Sequence, residues 1–316
     1  MRILMFFICA SVLAQGGRKI SIQGQDQAPT TIGKAADEFG FRQWNWSDFE
    51  DDINSMSSEG VIDSGNLYSS VHYYNSQSGN TLYVSDSRLN FHINPNTPEP
   101  SGEAEDYNYR SEIREHPSNA DNETGTEQWW GFNYKFGDGY VADENEFIMW
   151  QVHGSFATPS NPLLSMWVGK TNQAGTGNKK GEILIVNAAQ NSASHKYTKT
   201  GIVPKSGQSI NVVIHVIWGD ASDGLYQVWI DGKKVYDEQE RTVYIEEEEA
   251  GYWKIGIYKW PWKNSIDVAV SEGLGADDLH TSIGSLRVIT REPSDLDNNK
   301  NWRADYEKVD PARYEY

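Results

Sequence analysis

The chain has 316 residues, with 27 Lys plus Arg against 45 Asp plus Glu, 12 Trp and one Cys. Its formal net charge of −18 excludes broad, sequence-independent binding of nucleic acid, which needs clustered positive charge, and argues against an anionic membrane surface as partner. The length allows one or two domains, and an all-β chain of this size is commonly one unit.

Met1-Arg2 is a short basic start, and Ile3 to Leu13 is an apolar run broken only by Ser11. Val12-Leu13-Ala14 then offers small residues at the −3 and −1 positions of a cleavage site. This reads as a secretory signal peptide over residues 1–14, too short to span a membrane, with Gly17 as the second cleavage candidate. Cys9 lies inside it, so the mature chain is expected to hold neither a disulfide nor a thiolate metal site. Residues 15–316 show no composition break and no fixed-period repeat, and are expected to form a single secreted domain that acts as a monomer. Asn45-Trp46-Ser47 and Asn122-Glu123-Thr124 fit glycosylation sequons.

Beyond the leader, helical periodicity is scarce and alternation dominates. The expected strands, rich in Val, Ile, Tyr and Trp, are Leu67–Tyr74, Thr81–Ile93, Tyr107–Glu115, Gln128–Phe136, Glu146–His153, Leu163–Val168, Glu182–Asn187, Ile210–Trp218, Tyr226–Ile230, Lys233–Asp237, Tyr252–Tyr258 and Ser282–Thr290. Asp231-Gly232 is a hairpin signal. The strand number and spacing predict an all-β fold, a β-sandwich of jelly-roll type with two packed antiparallel sheets. Glu246–Glu249 reads as a solvated acidic turn.

Three of these strands carry a polar face. Side chains alternate along a strand, so Arg110, Glu112 and Arg114 project together, opposite Ser111 and Ile113. Gln151 and His153 share a face opposite Trp150 and Val152, and Gly154 follows. Lys254, Gly256 and Tyr258 face one way, while Trp253, Ile255 and Ile257 face the other. Glycine costs stability in a strand, and Gly256 is expected to clear room for a ligand lying across the sheet. A buried face would need every one of these polar groups paired, so three such strands point to a binding cleft.

Arg-Ser-Glu-Ile-Arg at 110–114, Gln-Val-His at 151–153 and Tyr-Trp-Lys-Ile-Gly-Ile-Tyr at 252–258 resemble the three signature strands of alginate lyases. The wider context resembles the heparin lyase I-like and glucuronan lyase-like group of jelly-roll polysaccharide lyases more closely. It comprises Trp150-Gln151-Val152-His153-Gly154 with Asn161-Pro162-Leu163-Leu164-Ser165, and Val213-Ile214-His215-Val216-Ile217-Trp218 with the segment Gly224 to Lys233. The likeness runs from about Tyr107 to Thr290. It implies a lyase that cleaves a 4-linked uronic-acid polymer by β-elimination. Family roles fall on Arg110, Gln151, His153 and Tyr258 as catalytic residues, and on Glu112, Arg114 and Lys254 as supporting residues of the cleft. The segment after Tyr258 departs from alginate lyases, which usually follow that Tyr with a polar pair such as Asn-Gln; here Lys259-Trp260-Pro261-Trp262-Lys263 follows. The first substrate choice is therefore glucuronan- or ulvan-like, with alginate as the alternative.

Elimination has three needs. Donors must neutralise the uronate carboxylate and the enolate that develops from it, and Arg110 and Gln151 supply them. A base must take the C5 proton and an acid must protonate the C4 oxygen. Tyr ionises near about pH 10 and His near about 6.5 in the reference state. The cations Arg110, Arg114 and Lys254 are expected to favour phenolate at Tyr258. Tyr258 then suits both roles where the C5 hydrogen and C4 oxygen lie on one side, as in glucuronate or mannuronate; for the epimers, His153 as base with Tyr258 as acid fits better. No cofactor is required.

Two other classes compete. A non-catalytic carbohydrate-binding jelly roll would use the aromatic residues for stacking. A glycoside hydrolase needs two carboxylates across a cleft, and Glu112, held between two Arg, makes a poor proton donor. His215 reads as a satisfied core histidine, and His72, His92, His116, His195 and His280 show no zinc-ligand spacing. Asp138, Asp143, Glu144 and Glu146 are candidates for a structural Ca²⁺. Lys259, with Lys170 and Lys263, is expected to extend a basic strip for distant sugar carboxylates.

Overall fold

The structure, a computed structural model, describes residues 40–56, 59–63, 66–71, 81–95, 109–116, 122–153, 162–189, 195–244, 251–295 and 302–314. The leader with Cys9, His72, Gly154, Asn161 and Glu246–Glu249 lie outside the described residues. The alternating segments form β1 (Phe41–Trp44), β2 (Gly60–Asp63), β3 (Leu67–Val71), β4 (Leu82–Ser85), β5 (Arg88–Ile93), β6 (Arg110–Glu115), β7 (Glu127–Phe136), β8 (Phe147–His153) and β9 (Pro162–Val168). They continue as β10 (Ile183–Asn187), β11 (Lys196–Lys199), β12 (Ser209–Ile217), β13 (Leu225–Ile230), β14 (Lys233–Gln239), β15 (Tyr252–Tyr258), β16 (Leu279–Ile283) and β17 (Leu286–Arg291). Helices are few: α1 (Glu50–Ser55), α2 (Ser265–Leu274) and α3 (Trp302–Val309), with short 3-10 turns. Among the described residues no helix is long and apolar enough to cross a membrane.

The strands pair into two large antiparallel sheets packed as a jelly roll. One sheet runs β11-β10-β9-β8-β15-β6-β3-β2. The other runs β14-β13-β12-β7-β16-β5-β4, with β17 beside β7 and β1 beside β17. Their inner faces share a core built on Trp130, Trp150, Tyr226, Trp44, Trp253 and Phe91, all fully or almost fully buried. Ring pairs such as Trp130–Trp150, with centroids 5.4 Å apart, bridge the layers. Each fully buried large apolar side chain contributes about 1.5–3 kcal/mol, so this core is a main source of the fold's stability.

The second sheet is covered on its outer face as well. Trp129, Val213, Trp229 and Ile289 point outward there and pack under Tyr306 and Val309 of α3. The approach is close: a Cβ at Gly131 would lie 1.7 Å from the Val309 carbonyl oxygen. Tyr314 donates to the Gly131 carbonyl at 3.0 Å and so pins the turn after α3. The outer face of the first sheet is the one that carries the polar row.

Two expected strands divide. Thr81–Ile93 is a hairpin, β4–β5, whose turn residues Asp86 and Ser87 both take left-handed φ, 52° and 58°. Such turns are usually signalled by Asn-Gly or Asp-Gly, so the sequence hid it. The last strand begins earlier, at Leu279, and breaks at Gly284-Ser285 into β16 and β17, which pair with successive halves of the long β7. The Asp231-Gly232 hairpin forms as expected between β13 and β14. Helix α2, flanked by an Asn264 cap that accepts from the Ile266 N–H at 3.0 Å and by Gly275 at φ 68°, follows the site-bearing β15.

Candidate active site

Strands β8, β15 and β6 are neighbours in the first sheet, so the three polar faces become one surface. Lys254 stands opposite Arg114 on one side and Gln151 on the other. Gly256 stands opposite Glu112, and Tyr258 opposite Arg110. Ile113, Val152, Trp253, Ile255 and Ile257 point the other way into the core. The alternation read from the sequence thus brings Arg110, Glu112, Arg114, Gln151, Lys254 and Tyr258 onto one face.

Within that face the groups order one another. The Gln151 amide donates to Glu112 Oε1 at 2.6 Å, and Arg110 Nη1 lies 3.6 Å from Glu112 Oε2. Glu112 and Gln151 are both 1% exposed. The Arg110 guanidinium lies 4.4 Å from the centre of the Tyr258 ring. Among the described residues, Arg110 Nε and Arg114 Nη1 are buried donors without a hydrogen-bond partner. A buried unmade bond to a charged group is costly, and an anionic group arriving at each donor would relieve it. Burial pushes the Lys254 amine down to about 8, against the Glu112 carboxylate, which holds it up. Burial also raises the Tyr258 phenol above its ordinary value, and Arg110 pulls it back only in part. The expectation that the cations favour phenolate is therefore corrected for the free protein: desolvation outweighs them.

A second cluster forms further along the row. The Arg114 guanidinium sits 4.2 Å over the Tyr68 ring and 5.6 Å from the Tyr252 ring. Lys254 Nζ is 5.3 Å from the Tyr252 ring, and His153 stacks on Tyr252 at 5.8 Å and 22°. Sequence reasoning missed Tyr68 and Tyr252, although the alternation that aligns 254, 256 and 258 puts 252 on the same face. His153 is paired in register with Tyr252, whereas Tyr258 is paired with Ile148. At about 3.3 Å per residue their backbones are roughly 17 Å apart along the strand.

Two further expectations are corrected. Gly256 does not clear the cleft. Its φ is 148°, and a Cβ there would meet the Ser111 carbonyl at 2.2 Å and the Glu112 Cα at 2.7 Å. The β15–β8 register slips between Ile255 and Tyr258 while the β15–β6 register stays regular, so Gly256 lies in a β-bulge on the β8 side. Lys259 does not join the basic strip. It is 1% exposed, its Nζ lies 2.8 Å from Asp143 Oδ2, and it donates to the Asn145 carbonyl at 2.7 Å. The acidic residues considered for Ca²⁺ have protein partners: Asp143 holds Lys259 and Ser271, Glu144 accepts from Thr171, and Glu146 pairs with Lys170. Among the described residues no group of three or more acidic, His or Cys side chains is arranged to hold a metal. His215 is a core histidine, fully buried between Gln227 and Glu127 and stacked on Trp129 at 3.7 Å.

A model of the polysaccharide lyase family matches residues 61–274, which contain all three site strands. The chain belongs to that family. No curated protein sequence matches this lyase. Among solved structures, it is similar to the endo-β-1,4-glucuronan lyase of the fungus Trichoderma reesei, at 15% identity and TM-score 0.51, over 82% of this chain and 94% of that one. It is also similar to a family 7 alginate lyase solved with a GGMG substrate, at 18% identity and TM-score 0.46, over 72% and 85% of the two chains. An alginate lyase from Pseudomonas aeruginosa follows at 14% identity and TM-score 0.46, over 67% and 87%. At such identities the glucuronan lyase supports the jelly-roll fold of this polysaccharide lyase and nothing finer.

Proposed function

We propose that this polysaccharide lyase is secreted and cleaves a 4-linked, glucuronate-containing polymer by β-elimination. The observation that carries the reading is the convergence of Arg110, Glu112, Gln151, Lys254 and Tyr258 on one face, where a buried guanidinium donor without a hydrogen-bond partner among the described residues lies beside a phenol. Arg110, Gln151 and Lys254 receive the substrate carboxylate. Glu112 fixes the Gln151 amide through the 2.6 Å hydrogen bond, so the donors need little reorganisation as enolate charge develops. Tyr258, as phenolate, takes the C5 proton. The C5 electrons form the C4–C5 double bond, the C4–O bond breaks, and Tyr258 returns the proton to the leaving oxygen.

The wide backbone offset between His153 and Tyr258 supports one residue performing both proton transfers. That chemistry suits a sugar whose C5 hydrogen and C4 oxygen lie on the same side, and so glucuronate. Arg114, stacked between Tyr68 and Tyr252, holds a neighbouring sugar acid, and His153 lines that end.

The test is a panel of glucuronan, ulvan, alginate and heparin, followed by the ultraviolet absorbance of new unsaturated uronate ends. Absorbance on a glucuronate-containing polymer is the expected result. Binding to the polymers without any absorbance or loss of viscosity would overturn the lyase reading in favour of a carbohydrate-binding module.

A further inference from the structure

The cleft face is not uniform across the sheet. One cross-strand row runs Tyr68, Arg114, Lys254, Gln151, Ser165, Val186, Tyr197, and the next runs Arg110, Tyr258, Ile148, Trp167, Leu184, Lys199. On the β6–β15 side the rows present three cations. From β8 to β10 they present aliphatic and aromatic groups. Ile148, Trp167, Leu184 and Val186 form a small apolar cluster on this outer face, with Tyr197, Tyr258 and Trp260 packed against it. Lys199, at the end of its row, stands four strands from Tyr258, about 19 Å at the usual strand spacing. Other lysines of this flank have carboxylate partners: Lys170 pairs with Glu146, and Lys196 with Glu240.

Trp260 is the exposed part of this flank. It follows Tyr258 by two residues, is half-buried, and packs against Trp167 at 4.8 Å and 66° and against Tyr258 at 5.4 Å and 48°. Its position is fixed from behind. Trp262 Nε1 donates to Ser271 Oγ at 2.8 Å, and the buried Lys259–Asp143 pair closes the same turn. A rigid indole beside the proposed proton-transfer residue is suited to stacking on a sugar ring. A carboxylate lodged there would lose water without gaining a Lys or Arg partner among the described residues, which is costly.

We propose that Trp260, backed by the buried Trp167 and flanked by Tyr197, forms a subsite for a sugar without a carboxylate, next to the uronate held by Arg110 and Lys254, so that the preferred substrate alternates uronate and neutral sugar. This rests on the lyase reading above and narrows it. Trp260 becomes a specificity-determining residue, and a homopolymer of uronate is the poorer substrate because every second carboxylate would sit on the aromatic flank.

The experiment compares kcat/KM for ulvan freed of its sulfate esters, so that its rhamnose is uncharged and the polymer (hereafter ulvan) alternates uronate with neutral sugar, with that for glucuronan, as the homopolyuronate, read as unsaturated-end absorbance. The wild type is expected to prefer ulvan by about tenfold or more. Trp260→Ala is expected to lower kcat/KM on ulvan by about tenfold, mainly through KM, on the scale of a lost stacking contact, and on glucuronan by less than about threefold. Trp260→Phe restores most of the loss and, with unchanged melting temperature, separates stacking from folding. Glucuronan cleaved as well as ulvan, or both polymers losing equally in Trp260→Ala, overturns the subsite while the lyase reading stands. Absence of cleavage of both polymers by the wild type overturns the subsite together with the choice of a glucuronate-containing substrate.

Discussion

Lys254 shows what burial does to a single residue in this cleft. The amine is 5% exposed and its pKa falls to about 8 because water is withdrawn, with Glu112 restoring only part of the charge preference. Below about pH 8 it is a cation, in the proposed binding mode facing the substrate carboxylate; above that it is neutral and that attraction is lost. KM for a polyuronate is therefore expected to rise as pH passes upward through about 8, and Lys254→Arg, whose guanidinium keeps its charge, is expected to hold KM level from pH 7 to 9.5. Parallel KM profiles for the two proteins would remove Lys254 from carboxylate binding. Tyr258 moves the opposite way: its phenol is raised by burial, so kcat gains from higher pH while KM worsens. The residues of this surface were legible because alternation in three strands assigns faces without any knowledge of pairing. Tyr68 escaped because its strand carries no motif, and Lys259 was misplaced because the chain leaves the strand at Tyr258, where alternation stops predicting direction.

At the scale of elements, the segment after β15 decides where Tyr258 and Trp260 sit. Asp143 holds both Lys259 and Ser271, and Asn145 bonds the Asp267 carbonyl and Ser271 Oγ, so α2, the 3-10 turn and the start of β8 are tied together by buried polar groups. Removing one member leaves a buried charge uncompensated. Lys259→Met is expected to cost about 3–5 kcal/mol in chemical denaturation, and the double variant Lys259→Met with Asp143→Leu to recover part of it. A loss below about 1 kcal/mol would show that Lys259 is not the buried partner described here. Sequence made the long strands and the Asp231-Gly232 turn visible, since their signals are local. The short strands β1, β2 and β11 are only four residues each, too brief for a periodic pattern. Helix α2 shows no strong apolar stripe, because only Ser271 on it is buried.

For the molecule as a whole, the charge of −18 and the cationic cleft pull in opposite directions. On the proposed function, the acidic body repels the polyanionic substrate at long range, while Arg110, Arg114 and Lys254 attract it at contact. The Debye length shrinks from about 30 Å at 0.01 M salt to about 10 Å at 0.1 M, which mutes the first effect before the second. kcat/KM is therefore expected to rise from very low to moderate salt and fall beyond it, whereas a steady fall from the lowest salt would contradict this balance. Sheet order, and the cover that α3 lays on the second sheet, were beyond the sequence because they depend on contacts far apart in the chain. The central claim is that Tyr258 performs both proton transfers. Its most direct test is the rate of unsaturated-end formation on the better of glucuronan and ulvan for Tyr258→Phe and His153→Asn. A loss of about 10³-fold or more for Tyr258→Phe, on the scale of acid–base catalysis, with His153→Asn within about tenfold of wild type, is the predicted result; an active Tyr258→Phe, or a His153→Asn equally inert, would contradict it.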